Sequence, residues 1–253
     1  MIMRDFGIGS TARSLALGVA ALVLFSGCAS IGGFMGGEST KTPAELIAEG
    51  VKNMERSRYT AAIEAFEDVR DRFPYSKYAV LAELRIADAE FKREEYDAAF
   101  GAYDQFEKLH PKNENIPYVI YQKAMCHFKR MTTPDRDQFH TMRAKEIFER
   151  LIRRFPKSEY ANRAMKNLRK CLLFLAEHEL YVGHFYFRMG EYRAALARYN
   201  YLLQNYPDMG QYYEALEYIS KCKEKLAQGY DRETESPVHE EKRTLVDRIR
   251  SLF

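Results

Sequence analysis

The sequence predicts an all-α fold, a solenoid of about five stacked helical hairpins, and three observations lead there. One pattern of Tyr, Ala, aromatic, apolar residue and Pro occurs at Tyr59-Ala62-Phe66-Val69-Pro74, at Tyr96-Ala99-Tyr103-Phe106-Pro111 and at Tyr192-Ala195-Tyr199-Leu202-Pro207. A further copy, Ala144-Phe148-Leu151-Pro156, lacks the leading Tyr. Upstream of each copy stands a small residue at the matching place: Gly50, Ala87, Ala124 and Gly183. The chain has 253 residues, of which 46% are hydrophobic, enough to build a continuous core.

The spacing within each copy puts Ala, aromatic and aliphatic on one helix face, and the Pro, unable to continue a helix, marks its stop. Each copy is therefore the second helix of a hairpin, and the small residue upstream marks where the first helix approaches closely. Folded structure is expected to begin near Pro43, a favourable first helical residue behind Thr42. The third hairpin carries a polar insertion, Met131-Thr132-Thr133-Pro134-Asp135-Arg136-Asp137-Gln138, which is either a contact site or tolerated length. Extra residues from Ser158 to Ala176 precede the fourth hairpin, to be explained by a long first helix or an additional packed one. After Pro207 the run Tyr212, Tyr213, Ala215, Leu216, Tyr218, Ile219, Cys222 and Leu226 keeps helical period and predicts a capping helix for the last repeat. Residues 229–253 form a charged tail, in which Leu245, Val246, Ile249 and Leu252 fall at helical spacing, either a partner-binding helix or a loosely docked one.

The N-terminus has its own logic. Arg4 and Arg13 precede an apolar run from Leu15 to Phe25. That run is about half the ~20 residues a membrane-spanning helix requires, so it reads as an export signal, residues 1–27. Phe25-Ser26-Gly27-Cys28 resembles the lipobox of bacterial lipoproteins, with Phe25 where Leu is usual, and implies a lipid on Cys28. Ala29, rather than the Asp that retains lipoproteins at the inner membrane in the enteric pattern, implies the periplasmic face of the outer membrane. Residues 28–42, with four glycines from Ser30 to Thr42, read as a flexible tether, and residues 43–228 as the repeat domain.

Composition and motif search argue against chemistry. Thirty-nine basic and 36 acidic residues leave a net charge of only +3, too balanced for a nucleic-acid footprint. Cys126, Cys171 and Cys222 are widely spaced and read as small buried hydrophobes rather than a disulfide framework. Glu177-His178-Glu179 with His184 is the nearest approach to a metal site, but the second His falls six residues on instead of four. Cys126 and His127, being adjacent, point in different directions on a helix. The acidic pairs Glu94-Glu95 and Glu240-Glu241 suit solvated turn and tail positions. No phosphate loop or nucleophile motif is present, and the expectation is a non-catalytic binding protein without metal or cofactor.

Leu46, Gly50, Tyr59, Ala62, Phe66 and Pro74 together resemble the tetratricopeptide repeat, whose superhelix lines its concave wall with the first helices of the hairpins. Phased on that pattern, inward positions are Val51, Met54, Leu84, Phe91, Lys92, Tyr118, Tyr121, Phe128 and Lys129. Aromatic side chains and Met beside Lys suit an extended peptide with apolar side chains and a terminal carboxylate.

The segments Arg72-Phe73-Pro74-Tyr75-Ser76-Lys77-Tyr78, His110 through Tyr121, Asp135-Arg136-Asp137 and Arg154 through Tyr160, together with lipobox and tether, resemble the BamD (ComL) family of outer-membrane lipoproteins. That resemblance implies a subunit of the β-barrel assembly machinery. Its N-terminal repeats would receive the C-terminal strand of an unfolded barrel protein, and its C-terminal repeats would dock the periplasmic domains of the barrel subunit BamA. Arg198 matches an arginine associated with that docking. Other lipoproteins of the same machinery are further implied partners, although the insertion after Met131 is shorter than in the enteric form and the tail is this chain's own. Two competing readings stand beside it: a periplasmic scaffold for division or peptidoglycan synthesis, and a repeat appendage of a wall-cleaving enzyme.

Overall fold

The computed structural model describes residues 41–207 and 209–230, and the expectations placed on the export signal, Cys28, the tether up to residue 40 and the tail from residue 231 lie outside them. Among the described residues there are nine helices and no strand: α1 (Pro43–Glu55), α2 (Tyr59–Arg72), α3 (Lys77–Lys92), α4 (Tyr96–Leu109), α5 (Ile116–Phe128), α6 (Phe139–Arg154), α7 (Glu159–Met189), α8 (Tyr192–Asn205) and α9 (Tyr212–Ala227). Each packs on its chain neighbours, and α1 also meets α3 while α5 meets α7. Consecutive antiparallel pairs α1/α2, α3/α4, α5/α6 and α7/α8 are the hairpins, and α9 covers the last of them.

The repeat motif maps onto one packing unit. The motif Ala of every copy (Ala62, Ala99, Ala144 and Ala195) is fully buried, as are Phe66, Tyr103, Phe148 and Tyr199 beside them. Gly50 and Gly183 are small because the motif aromatic lies flat against them. A Cβ added to Gly50 would fall 2.3 Å from Phe66 Cε1, and one added to Gly183 2.4 Å from Tyr199 Cε1.

Each second helix ends in the same way. The residue before the proline takes a non-helical conformation, φ −132° and ψ 51° at Phe73, with near-identical angles at His110, Phe155 and Tyr206. Proline's ring disfavours the α region for the residue before it. In each case that residue's N–H donates to the carbonyl of the motif's apolar residue, Val69, Phe106, Leu151 or Leu202.

The turns inside the hairpins repeat too. Ser57 (φ 56°), Glu94 (φ 66°) and Gly190 (φ 80°) each stand two residues before the motif Tyr in the left-handed region. The third hairpin has the insertion instead. Its α6 starts at Phe139, and Thr141, at the place of the missing Tyr, is buried and donates to Gln138 Oε1 at 2.7 Å.

Three buried clusters share helices. The first joins α1, α2 and one side of α3 through Leu46, Phe66, Val69 and Ile86. The second runs from Leu84 and Ala87 on the other side of α3 through α4, α5 and α6 to Ala164 and Cys171 on α7. The third joins Leu180 and Phe187 of α7 to Tyr199, Leu202, Ile219 and Cys222. The extra residues before the fourth hairpin are thus the front half of one 31-residue helix, α7, closed by the left-handed Gly190. Cys126, Cys171 and Cys222 are free and buried; burial pushes the first two thiols up to about 12 and the third to about 11.

Candidate functional site

The sequence places a binding face on the first helices of the hairpins, and its strongest local structure is on α5. Tyr118 donates its hydroxyl to Asp88 Oδ1 at 2.6 Å, and Tyr103 donates to the same oxygen at 2.7 Å. Arg85 holds the other carboxylate oxygen at 3.0 Å. One nearly buried carboxylate thereby ties α3, α4 and α5 together. Burial, then the Asp88 charge, pushes both phenols far above their ordinary range, so they stay donors.

One turn further, Tyr121 is half-buried between Phe148 and Tyr160, with ring centroids at 5.9 and 5.7 Å. Its hydroxyl accepts from Asn167 Nδ2 at 3.1 Å. Tyr118 also meets Tyr160 edge-on at 5.4 Å, so Tyr160 brings the two α5 tyrosines together. Phe128 packs on Phe148 at 6.0 Å, and Lys129, one residue beyond α5, is exposed.

On α3, Leu84 is buried in the second core cluster, where it supplies packing rather than surface. Phe91 is half-buried against Tyr96 at 5.4 Å, and Lys92 is exposed at the helix end. On α1, Val51 is exposed, whereas Met54 packs on the first cluster. The face therefore has its aromatic wall on α5, with exposed cations at the ends of α3 and α5. Tyr160 and Asn167, both contributed by α7, escape the sequence reading. Their signal is the spacing of seven residues on one helix, legible only once α7 is known to be continuous.

A buried charge network braces this wall from behind. Lys123, at 5% side-chain exposure, donates to Asp104 at 2.5 Å and Glu107 at 3.0 Å. Arg150 and Arg154 of α6 reach Glu107 as well. Burial works against charge on Glu107, but Lys123 and Arg150 hold its carboxyl below the usual range. Lys108 and then Lys123 do the same for Asp104.

The insertion is an ordered loop. Gln138 Nε2 donates to the carbonyls of Thr133 and Arg136, and His178 Nδ1 donates to Pro134 O at 2.6 Å, pinning the loop to α7. At its base His127 and His140 face each other, Nδ1 to Nδ1 at 3.0 Å. Burial first, then His140, lowers His127 to about 4; burial and Arg130 lower His140.

The residues nearest to a metal-ligand pattern point to different partners. His178 holds the loop, Glu179 pairs with Arg198 at 3.3 Å, and His184 meets Glu214 at 3.2 Å and the Tyr218 ring at 4.2 Å. Cys126 points into the core while its neighbour His127 faces His140. Among the described residues no group of three or more His, Cys, Asp or Glu could hold a metal. Arg198 itself is exposed on α8, beside a shallow depression lined by Tyr186, Ala194, Ala197 and Tyr201. No helix of the described residues is long and apolar enough to cross a membrane.

A family model described as outer membrane lipoprotein (YfiO) matches residues 39–236. The outer membrane protein assembly factor BamD of Neisseria meningitidis serogroup B is 30% identical over 192 residues, covering 72% of each chain. That of Caulobacter vibrioides is 29% identical over 175 residues, covering 69% of this chain and 57% of the relative. Among solved structures, the TPR2AB domain of yeast Sti1 in its Hsp90 complex overlays with a TM-score of 0.43 at 15% identity, covering 73% of this chain and 70% of that one.

Proposed function

Because the chain belongs to the outer-membrane lipoprotein family of the BamD assembly factors, we propose that it is a non-catalytic subunit of the β-barrel assembly machinery, one that helps fold and insert barrel proteins. The observation that carries this reading is the family match from residue 39 to 236, which takes in all nine described helices. A lipid on Cys28 would hold it at the periplasmic face of the outer membrane, and the tether would let the repeats reach a neighbouring subunit.

Its task is capture and presentation. The face formed by Val51, Met54, Phe91, Lys92, Tyr118, Tyr121, Phe128 and Lys129 takes the extended C-terminal strand of an unfolded barrel protein. Rigid aromatic walls suit its alternating apolar side chains, and Lys92 or Lys129 suits its carboxylate. Holding the strand beside the barrel subunit raises its effective concentration without any bond being made or broken. Arg198 and the depression beside it form the docking site for a BamA-like subunit. Its guanidinium is about half exposed while Glu179 is mostly buried beneath it, so a partner carboxylate can join Glu179 on the guanidinium without displacing it. Nothing observed favours a division or peptidoglycan scaffold or a wall-cleaving appendage.

The test is affinity capture of the detergent-solubilised, lipidated protein. Co-purification of a roughly stoichiometric β-barrel subunit with periplasmic domains is expected. Division or peptidoglycan proteins without that subunit would overturn the reading. Arg198→Ala should then lower the captured subunit, Lys92→Glu with Lys129→Glu should weaken binding of a barrel C-terminal peptide several-fold, and Cys28→Ser should release the protein from the membrane. Phe91→Glu and Tyr121→Glu, in protein shown by circular dichroism to remain folded, should weaken the same peptide.

A further inference from the structure

The net charge of +3 conceals a concentrated basic stretch: between Arg150 and Lys170 there are eight basic residues and one acidic one. Some are spent inside the fold, since Arg150 and Arg154 both serve Glu107. Arg153 pairs with Glu149 within α6, and four of the others face outward on the front half of α7. Arg163, Lys166, Arg169 and Lys170 are exposed there, and Lys157 is exposed in the preceding turn. Lys157, Lys166, Arg169 and Lys170 form no ion pair with any described residue, and Arg163 has only a loose one, 3.9 Å from Glu159.

The cations are not scattered. Tyr160, Arg163, Asn167 and Lys170 fall three, seven and ten residues along α7, on one face, with Lys166 and then Arg169 widening the strip. Arg163 lies over the Tyr160 ring at 5.3 Å, and Asn167 bonds Tyr121. The strip therefore combines charge with an aromatic ring and an amide. From Arg163 to Lys170 it is about 10 Å long. Side chains on one side of an extended chain recur about every 6.8 Å, so two or three carboxylates of such a chain would span it.

We propose that this strip on α7 is a docking site for an extended acidic segment of a partner protein, bordering the strand-binding face at Tyr160 and Asn167 and standing whether or not that face binds clients. The charge complementarity is one-sided: three of the strip's four cations, Lys166, Arg169 and Lys170, have no acidic group among the described residues committed to them. A row that alternates cations with Tyr160 and Asn167 is graded in chemistry along its length, which a polypeptide can match and a uniform layer of phosphate headgroups cannot.

The test is fluorescence anisotropy on the lipidated full chain in detergent, with a labelled twelve-residue peptide alternating Glu and Ser, and its Lys-Ser counterpart as control. The acidic peptide alone should bind, with affinity falling at least tenfold between low and physiological salt. The triple variant Lys166→Gln, Arg169→Gln, Lys170→Gln should lose at least tenfold, while Lys223→Gln, exposed on α9, should change nothing. Unaltered affinity in the triple variant, or no binding at all, overturns the proposal. Displacement of the peptide by mixed micelles containing phosphatidylglycerol, but not phosphatidylcholine, would make the strip a lipid site and overturn it equally.

Discussion

Replacing Gly183 by Ala and replacing Gly101 by Ala are the same chemical change in two helices, and the structure gives them opposite signs. Gly101 sits exposed in α4 with nothing within 4 Å of an added methyl, so Ala there should gain the ordinary helix preference, about 1 kcal/mol. At Gly183 the methyl would lie 2.4, 2.8 and 2.9 Å from Cε1, Cδ1 and Cζ of Tyr199. That ring is itself fully buried, and Tyr218 and His184 pack on it at 5.6 Å each, so it cannot swing aside freely. Overpacking of this kind costs about 1–3 kcal/mol, which offsets or exceeds the helix gain. The two variants should therefore differ by about 1–3 kcal/mol, the overpacking cost that only one of them carries. For a chain of this size that separates their melting temperatures by about 2–4 °C per kcal/mol. Urea unfolding followed by circular dichroism measures the difference. Adding Tyr199→Leu to Gly183→Ala should make the methyl less costly than it is against Tyr199. Equal stabilisation by both alanines would refute the close-approach account of the small residue in every repeat.

Ser57→Gly and Glu94→Gly should each stabilise the fold, because a non-glycine residue in the left-handed region costs about 1–2 kcal/mol, part of which glycine's greater unfolded-state freedom takes back; the urea midpoint should rise for both. His127 and His140 are held neutral below their ordinary range, so their contribution is present above about pH 6.5 and lost as pH falls toward the His127 value of about 4. Stability should decline over that window and decline less in His127→Leu; a flat profile in the native chain would contradict the burial of the pair. Lys123→Met should cost about 1–3 kcal/mol, since it removes the buried cation shared by Glu107 and Asp104 and leaves them only Arg150, Arg154 and Lys108, and the loss should shrink when Glu107→Gln is added.

The repeat is legible because its parts are dictated locally. Proline two residues past each second helix, Ala against the partner helix and an aromatic against Gly50 or Gly183 each follow from steric rules that act within one hairpin. The capping helix α9 is legible for the same reason. The candidate face is only partly so. Phasing places Tyr118 and Tyr121 on the inner side of α5, but which side chains lean on them depends on how far α7 runs before it turns. Leu84 shares its repeat position with the half-buried Tyr121 and so reads as part of the face, whereas it is buried in the second core cluster. Asp88 and Lys123 are invisible as network centres. A single polar residue in a helical pattern reads as solvated until the partners that satisfy it, Tyr103 and Tyr118 or Asp104 and Glu107, are brought from other helices.

The length of α7 changes how this chain should come apart. An array of repeats in contact only with their neighbours can fray from either end, one unit at a time. Here a single unbroken helix belongs to two cores: Ala164 and Cys171 near its start lie in the second, Leu180 and Phe187 near its end in the third. Release of α9 and α8 would strip the rear of α7 and then stop, because further fraying must pull the front of the same helix from between α5 and α6. Amide hydrogen exchange along α7 should accordingly fall in two steps, fast behind Leu180 and slow ahead of Cys171, and a pull applied at the C-terminal repeats would reach Tyr121 through one rigid rod instead of decaying across a chain of soft joints.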